Sequence, residues 1–530
     1  MIAQARQLVD QFGNPFSSDG RDAQIARLRE RVIDARREMV QAKYDAAQTN
    51  TDNQGHWANA DNLDPHASAS LSVRRRLRSR SRYEVLENNP FLKGVLLTVC
   101  NDFVGRRGPR LKITDKRLSK ERREIIEARW RKWSKLTRLR QKLWRARMAK
   151  LVDGESFFRA FIDKRTRHPV KINFRVFETD QVSSDGVFPK QGAANEIDGV
   201  RFNNDEQATH FHFLNQHPGS SVVFGGLGVG GGSWVPADFV VHWFRQDRGW
   251  LRGIPELTPS LPLCAILRRY TLAMVQWAEA QADITVLLET DGPPATNPWA
   301  AGNTGNVGQQ SDVPFEIFPI EPGMMMNLPW TYKMKQLQTV PLGTQYDEFV
   351  GSVLREVTRP ILVPFNLAAG TSKDSNMASS IVDQNIYKGG QTAERSDCEE
   401  VVLDQVAELW WLEAVLVGGY FGDAMLSSDP AFRYELPEHE WKWDRVGLDH
   451  TDPSKVAKSL ETLHKMKVVT DADIQEEYFN RDVDQWRAEV EEQEEWRKTI
   501  APAPVMEDDP EDDDDETDDA EEREEQEQNA

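Results

Sequence analysis

The chain has 530 residues, 39% of them hydrophobic, with 16 tryptophans and a formal net charge of −19. This composition excludes wholesale disorder, and the length exceeds what one core usually serves, since single cores stop growing at roughly 250–300 residues. The charge is uneven: Arg74–Lys150 holds 26 Lys and Arg against 7 Asp and Glu, whereas Glu507–Ala530 holds 16 acids against Arg523 alone.

In chain order, the N-terminus (MIAQARQLVDQF) lacks an apolar leader core, and no apolar run approaches the ~18 residues of a membrane span. A protein made and used inside a cell, with no membrane partner, is expected. Ile25, Leu28, Val32 and Met39 recur at helical spacing across residues 22–46, and residues 47–70 read as a polar loop. Arg74, Arg75, Arg76, Arg78, Arg80 and Arg82 then cluster ahead of Asn88-Asn89-Pro90. A basic block in an acidic chain suits a phosphate contact, because arginine binds phosphate bidentately, or equally a pairing surface between subunits or within the chain.

Pro90 near a first helical position predicts a helix through Val95–Val104. Helices are expected over 119–133 and 137–153, with Ser119 and Thr137 as N-caps and Gly154 as terminator. Phe157–Asp163, Ile172–Val182, Thr209–Leu214 and Phe239–Phe244 carry strand signals, so residues 155–245 form a strand-rich unit. Helices follow over 256–289 and 344–359, bracketing a Gly- and Pro-rich excursion with β-like runs at Phe315–Ile320 and Met325–Leu337. Pro360–Ser375 reads as an irregular loop. A long helical zone over 376–417 has a bend expected at Gly389-Gly390. Residues 454–498 form a charged helical pair, and 501–530 a Pro-Ala hinge and an acidic tail with too little apolar surface to fold. The fold class is α+β, mostly helical.

Candidate chemistry is sparse. Gly225–Gly232 (GGLGVGGG) has a G-x-G-x-x-G-like string, but Ser233-Trp234-Val235-Pro236 leads into a strand, not the helix a dinucleotide site needs. A hairpin loop is expected. His210 and His212 share a strand face, with His217 and His242 further on, yet no nearby carboxylate or cysteine completes a metal shell. Ser372-Lys373-Asp374 offers no assignable base or oxyanion site. Cys100, Cys264 and Cys398 lack C-x-x-C spacing and read as buried thiols. No cofactor is expected. Two function classes stay open beside a structural one: a nucleic-acid-processing enzyme using the Gly-rich loop or histidines, and a basic nucleic-acid-binding scaffold protein.

Several ordered motifs are similar to one family. Arg78–Pro90 (RSRSRYEVLENNP) resembles the arginine-rich helix and Asn-Asn-Pro of lambda-type tailed-phage portal (head–tail connector) proteins. Tyr44-Asp45-Ala46-Ala47 with Trp57, Phe103-Val104-Gly105 with Leu111, and Gly154-Glu155-Ser156-Phe157 look like successive landmarks of that family. Val241-His242-Trp243-Phe244, Arg252-Gly253-Ile254-Pro255-Glu256-Leu257, Glu321-Pro322-Gly323, Asn376-Met377-Ala378-Ser379-Ser380 and Asp471–Glu489 continue the series, so the resemblance spans residues 40–495.

The resemblance implies a subunit of a twelve-fold ring with an axial DNA channel. After an N-terminal segment, 1–70, it implies a wing (71–255 and 377–453), stem helices (256–289 and 344–359), a clip (290–343), a tunnel loop (360–376) and a crown (454–500), ahead of the acidic tail (501–530). Asn366, Thr371, Ser372, Lys373, Asp374, Ser375 and Asn376 would line the channel. The implied partners are the ring's other subunits, double-stranded viral DNA, the terminase large subunit, major capsid and scaffold proteins, and head–tail connector proteins. The implied location is the portal vertex of the virion, with assembly in the host cytoplasm.

Overall fold

Asn89 and Pro90 show how local chemistry starts an element. Asn89 is extended, its side chain accepts the Leu92 N–H, and Pro90 opens helix Pro90–Val104 at the position where a missing N–H costs nothing. The computed structural model describes residues 27–34, 55, 63–184, 195–220, 231–283, 287–290, 332–335, 343–371, 376–421, 430–444, 453–471, 474–475 and 483–499.

The chain divides into two compact units, Met1–Ser68 and Ala69–Ala530. In the first, residues 27–34 are helical with Leu28 and Val32 exposed, and Asp64 caps the short helix Pro65–Ser68 through the His66 N–H at 2.6 Å.

The second unit begins with α1 (Leu71–Ser81), which continues into a π-helical stretch, Arg82–Glu87, and then α2 (Pro90–Val104). Strand β1 (Arg110–Ile113) precedes α3 (Lys120–Leu136) and α4 (Leu139–Asp153). Ser119 stands at the N-cap of α3 as expected, but Thr137 closes that helix, donating to the Trp133 carbonyl. Left-handed Arg138 makes the turn into α4, and Gly154 ends it at φ 92°.

Strands β2 (Glu155–Ile162), β3 (Ile172–Phe177) and β8 (Val240–Phe244) form an antiparallel sheet in the order β3-β2-β8. A four-stranded antiparallel sheet runs β4 (Glu196–Ile197), β5 (Val200–Phe202), β6 (Ala208–Leu214) and β7 (Gly232–Pro236). Phe157, Phe177, Phe211, Phe213 and Val240 form one buried apolar cluster drawn from both sheets.

Helix α5 (Leu261–Asp283) starts after a single 3₁₀ turn, and the strand pair β9 (Leu287–Thr290) and β10 (Tyr332–Lys335) follows. The helix expected to reach residue 289 thus gives way to a strand at Leu287. The run expected at Phe315–Ile320 lies outside the described residues. Helix α6 (Gly343–Thr358) comes next. The stretch read as an irregular loop contains a 3₁₀ turn at Arg359–Ile361 and a short helix, α7 (Phe365–Ala369).

The long helical zone comprises α8 (Met377–Cys398), a π-helical segment Glu399–Leu403, and α9 (Asp404–Leu416). The irregularity therefore sits at Glu399–Leu403, and Gly389-Gly390 stays within regular helix. Packing accounts for Gly390: a Cβ there would lie 2.9 Å from Leu362 Cδ1. Strand β11 (His439–Lys442) pairs antiparallel with β1, more than three hundred residues earlier. Helices α10 (Pro453–Lys465) and α11 (Val483–Thr499) are the charged pair.

The largest core gathers Trp130, Trp133, Trp243, Trp410, Trp411 and Phe103 between α3, α4, the β3-β2-β8 sheet and α9. A second core joins α2, α4 and the bases of α5 and α6, where Cys100 and Cys264 lie buried.

Candidate functional site: charge pairing behind the arginine helix

The six arginines of 74–82 divide by helical face. Arg74 and Arg78 are buried, Arg75 and Arg82 are half-buried, and Arg76 and Arg80 are exposed. Arg78 meets Asp180 at 2.8 Å and Glu155 at 3.6 Å, and Arg74 meets Asp198 at 3.2 Å. Arg82 bridges Asp153 and Asp180, both at 2.7 Å, while Arg75 donates to Ser183 Oγ at 2.7 Å. The inward face is therefore consumed by the chain's own acids. Of the candidate cluster, Arg76 and Arg80 keep their charge in solvent.

Those acids converge on a lock made by two glycine-containing segments. Glu155 opens β2 and is fully buried. Arg252 grips its carboxylate with Nη2 to Oε1 at 2.7 Å and Nε to Oε2 at 2.9 Å, and the Gly253 N–H adds a bond at 3.1 Å. His242 Nε2 lies 2.8 Å from Oε2. A Cβ on Gly154 would fall 2.2 Å from the Ile254 backbone, and one on Gly253 would fall 2.2 Å from the Gly154 carbonyl oxygen. Only glycine lets the two backbones touch.

Burial pushes the Glu155 carboxyl up, but Arg252 and the His242 hydrogen bond overcome this and hold it well below the usual carboxylate range. Burial lowers the His242 ring, against the pull of Glu155. Asp180 is likewise held low by Arg78 and Arg82 despite its burial, whereas burial prevails at Asp153 and raises it.

A second set of pairs ties α4 to the entry of α5 and to α8. Arg147 bonds both oxygens of Glu256 at 2.7 and 3.2 Å, and Lys150 reaches Glu394 at 2.6 Å and Asp397 at 2.8 Å while lying 4.4 Å over the Trp243 ring. Arg395 donates to the Asp102, Phe103 and Asp444 carbonyls, and Tyr387 donates to Asp102 at 2.9 Å. Much of the basic block thus serves as internal counter-charge.

Helices α5 and α6 pack through Leu267, Val350 and Leu354, with Tyr270 stacked on Tyr346 at 5.9 Å. Arg268 pairs with Glu84 through two 2.9 Å bonds, fastening α5 to the π-helical stretch after α1. Of the channel candidates, Asn366 lies in α7 and accepts the Leu367 N–H, Thr371 is exposed just beyond Gly370, and Asn376 caps α8 through the Ala378 N–H. Ser372, Lys373, Asp374 and Ser375 lie outside the described residues.

The family described as phage portal protein, lambda family, matches residues 52–382, more than half of the chain. The chain belongs to that family. It is a lambda-family phage portal protein, and the Gly154-Glu155 and Arg252-Gly253 lock lies inside the matched region. Solved chains that resemble the portal protein include one from "Virion of native gene transfer agent (GTA) particle", 10% identical over 75% of this chain and 92% of that one, at a TM-score of 0.36. Another, "Neck of native GTA particle computed with C12 symmetry", is 12% identical over 76% and 92%, at 0.38. "Neck of empty GTA particle computed with C6 symmetry" is 12% identical over 78% and 93%, also at 0.38. No curated protein matches the chain.

Of the features that suggested enzyme chemistry, His212, His217 and His242 have structural partners in the portal protein. Leu214 pairs with Gly232 where β6 meets β7, and residues 221–230, which hold most of the Gly-rich run, lie outside the described residues. His212 bonds the Ser183 carbonyl at 2.7 Å, His217 meets Glu178 at 3.2 Å, and His210 is exposed. Among the described residues, no group of three or more His, Cys, Asp or Glu could hold a metal, and no helix is long and apolar enough to cross a membrane. All three cysteines are free and buried, and burial pushes the Cys100 and Cys264 thiols up to about 12. Sequence reasoning missed the Glu155–Arg252 lock as a physical unit. Its signal was the Gly beside each charged residue.

Proposed function

We propose that this portal protein is one of twelve identical subunits in a closed ring whose axial channel passes double-stranded viral DNA during packaging and ejection. In this reading α5 and α6 form the stem, and residues 290–343 a clip that meets the terminase large subunit and later the head–tail connector proteins. Residues 360–376 form the tunnel loop, 71–255 and 377–453 the wing, and 454–500 the crown facing the capsid interior. Major capsid and scaffold proteins surround the ring at the portal vertex of the virion, assembled in the host cytoplasm. No chemical step is assigned to it.

The observation that carries this reading is the surface of α5. One face is taken by α6, yet apolar side chains stay exposed on both flanks: Ile266 and Trp277 on one, Leu272 and Val275 on the other. The first pair lies eleven residues apart, about three turns, and so on one line along the helix. A helix that is apolar on several faces belongs in an assembled interior. Two apolar flanks on one helix suit a subunit with a neighbour on each side, which is the condition for a ring. A translocation channel must not grip its cargo, because each phosphate neutralised by a basic side chain strengthens binding. Withdrawing Arg74, Arg78 and Arg82 into ion pairs fits that need, and leaves Lys373 as the tunnel-loop cation for passing contact with phosphate.

Sedimentation velocity of the purified protein tests the reading. Wild type should sediment as one large species, and Leu272→Asp with Val275→Asp should release smaller ones. A wild-type protein that stays monomeric at high concentration would sink it.

A further inference from the structure

Arg138, Lys142 and Arg145, from the start and first turns of α4, and Arg175 of β3 line an open groove of about 890 Å³. Glu178 and His217, themselves paired at 3.2 Å, also line it. These cations differ from the buried ones described above. Arg138, Arg145 and Arg175 are exposed and make no ion pair among the described residues, although Arg175 lies over the Phe177 ring at 4.5 Å. Lys142 is half-buried, and its ammonium donates to the Asn173 amide oxygen, not to a carboxylate. Burial pushes its pKa down to about 8, against the pull of the Asp163 carboxylate. A desolvated cation whose hydrogen bond goes to a neutral amide still gains from an arriving anion.

We propose that this groove docks the chain's own acidic segment, residues 507–527. Charge complementarity favours that occupant, since the segment has 16 acids against Arg523 alone. Covalent connection favours it too, because a tethered ligand works at an effective concentration of order millimolar. The occupant also comes as part of the molecule, whereas DNA must approach a chain of net charge −19. Occupied in this way, the groove is screened from nucleic acid.

The test uses the full-length protein, zero-length carbodiimide coupling of carboxylates to amines, and mass spectrometry of the joined peptides. The expected products join Lys142 to acids within 507–527. They should vanish in Arg138→Glu with Arg175→Glu, and at 1 M salt, where the Debye length falls to about 3 Å. Independently, changing Asp512, Asp513, Asp514 and Asp515 to Asn should reduce coupling at Lys142 and leave the groove intact. Coupling spread equally over exposed lysines such as Lys132 and Lys135, or unchanged by the groove substitutions, would overturn the proposal. So would a 20-base-pair duplex that protects Lys142 in the intact protein while the tail couples elsewhere.

Discussion

Glu155 and Arg252 form a bidentate ion pair with no solvent access to either side chain, the closest contact being 2.7 Å. The pair joins the first residue of β2 to the segment that leads into α5, so it sets where the stem leaves the wing in the proposed architecture. Arg78 on α1 and His242 on β8 converge on the same carboxylate.

Arg252→Ala leaves the Glu155 charge buried with its main partner gone. Breaking a buried pair in this way costs roughly 3–5 kcal/mol. The unfolding free energy extrapolated from urea titration should fall by that amount. A loss below about 1 kcal/mol would mean that water or Arg78 replaces the missing guanidinium.

Exposure should separate neighbouring arginines of α1. Arg78→Ala removes charge-assisted bonds from a buried site and should cost roughly 1.5–3 kcal/mol. Arg76→Ala, one half-turn away on the exposed face, should stay within about 0.5 kcal/mol. Equal effects in thermal melts would contradict the division of the cluster into inward and outward faces.

The pH dependence has a definite sign at His439. Burial disfavours its charged ring, but Asp404 at 3.2 Å and the Pro437 carbonyl prevail and raise its pKa. A raised histidine stabilises fully below its unfolded value of about 6.5, and that contribution disappears as pH rises through the folded value. His439→Gln should therefore lower Tm at acid pH and change it little at alkaline pH. The reverse pattern would refute the pairing. His242 has the opposite sign: its pKa is lowered, so stability declines as pH drops below about 6.5.

Legibility followed the range of the forces involved. Asn89-Pro90, Ser119 and Gly154 act on backbone within a few residues, so the ends they mark were readable in sequence. Thr137 and Gly389-Gly390 misled because their local chemistry admits two uses. Thr137 closes one helix instead of opening the next, and Gly390 makes room for Leu362 instead of bending α8. The β1–β11 pairing was out of reach, since nothing local in Arg110–Ile113 points to His439–Lys442. The arginine cluster was conspicuous, but its targets Asp153, Asp180 and Asp198 became evident only once the chain had folded back on itself.

Electron microscopy of the purified full-length protein tests the central claim most directly. Class averages should show closed twelve-fold rings with an open centre, and Leu272→Asp with Val275→Asp should abolish them while the melting curve of the monomer is retained. Monomers in the wild-type images, or rings unaffected by those substitutions, would contradict an assembly built on the two apolar flanks of α5.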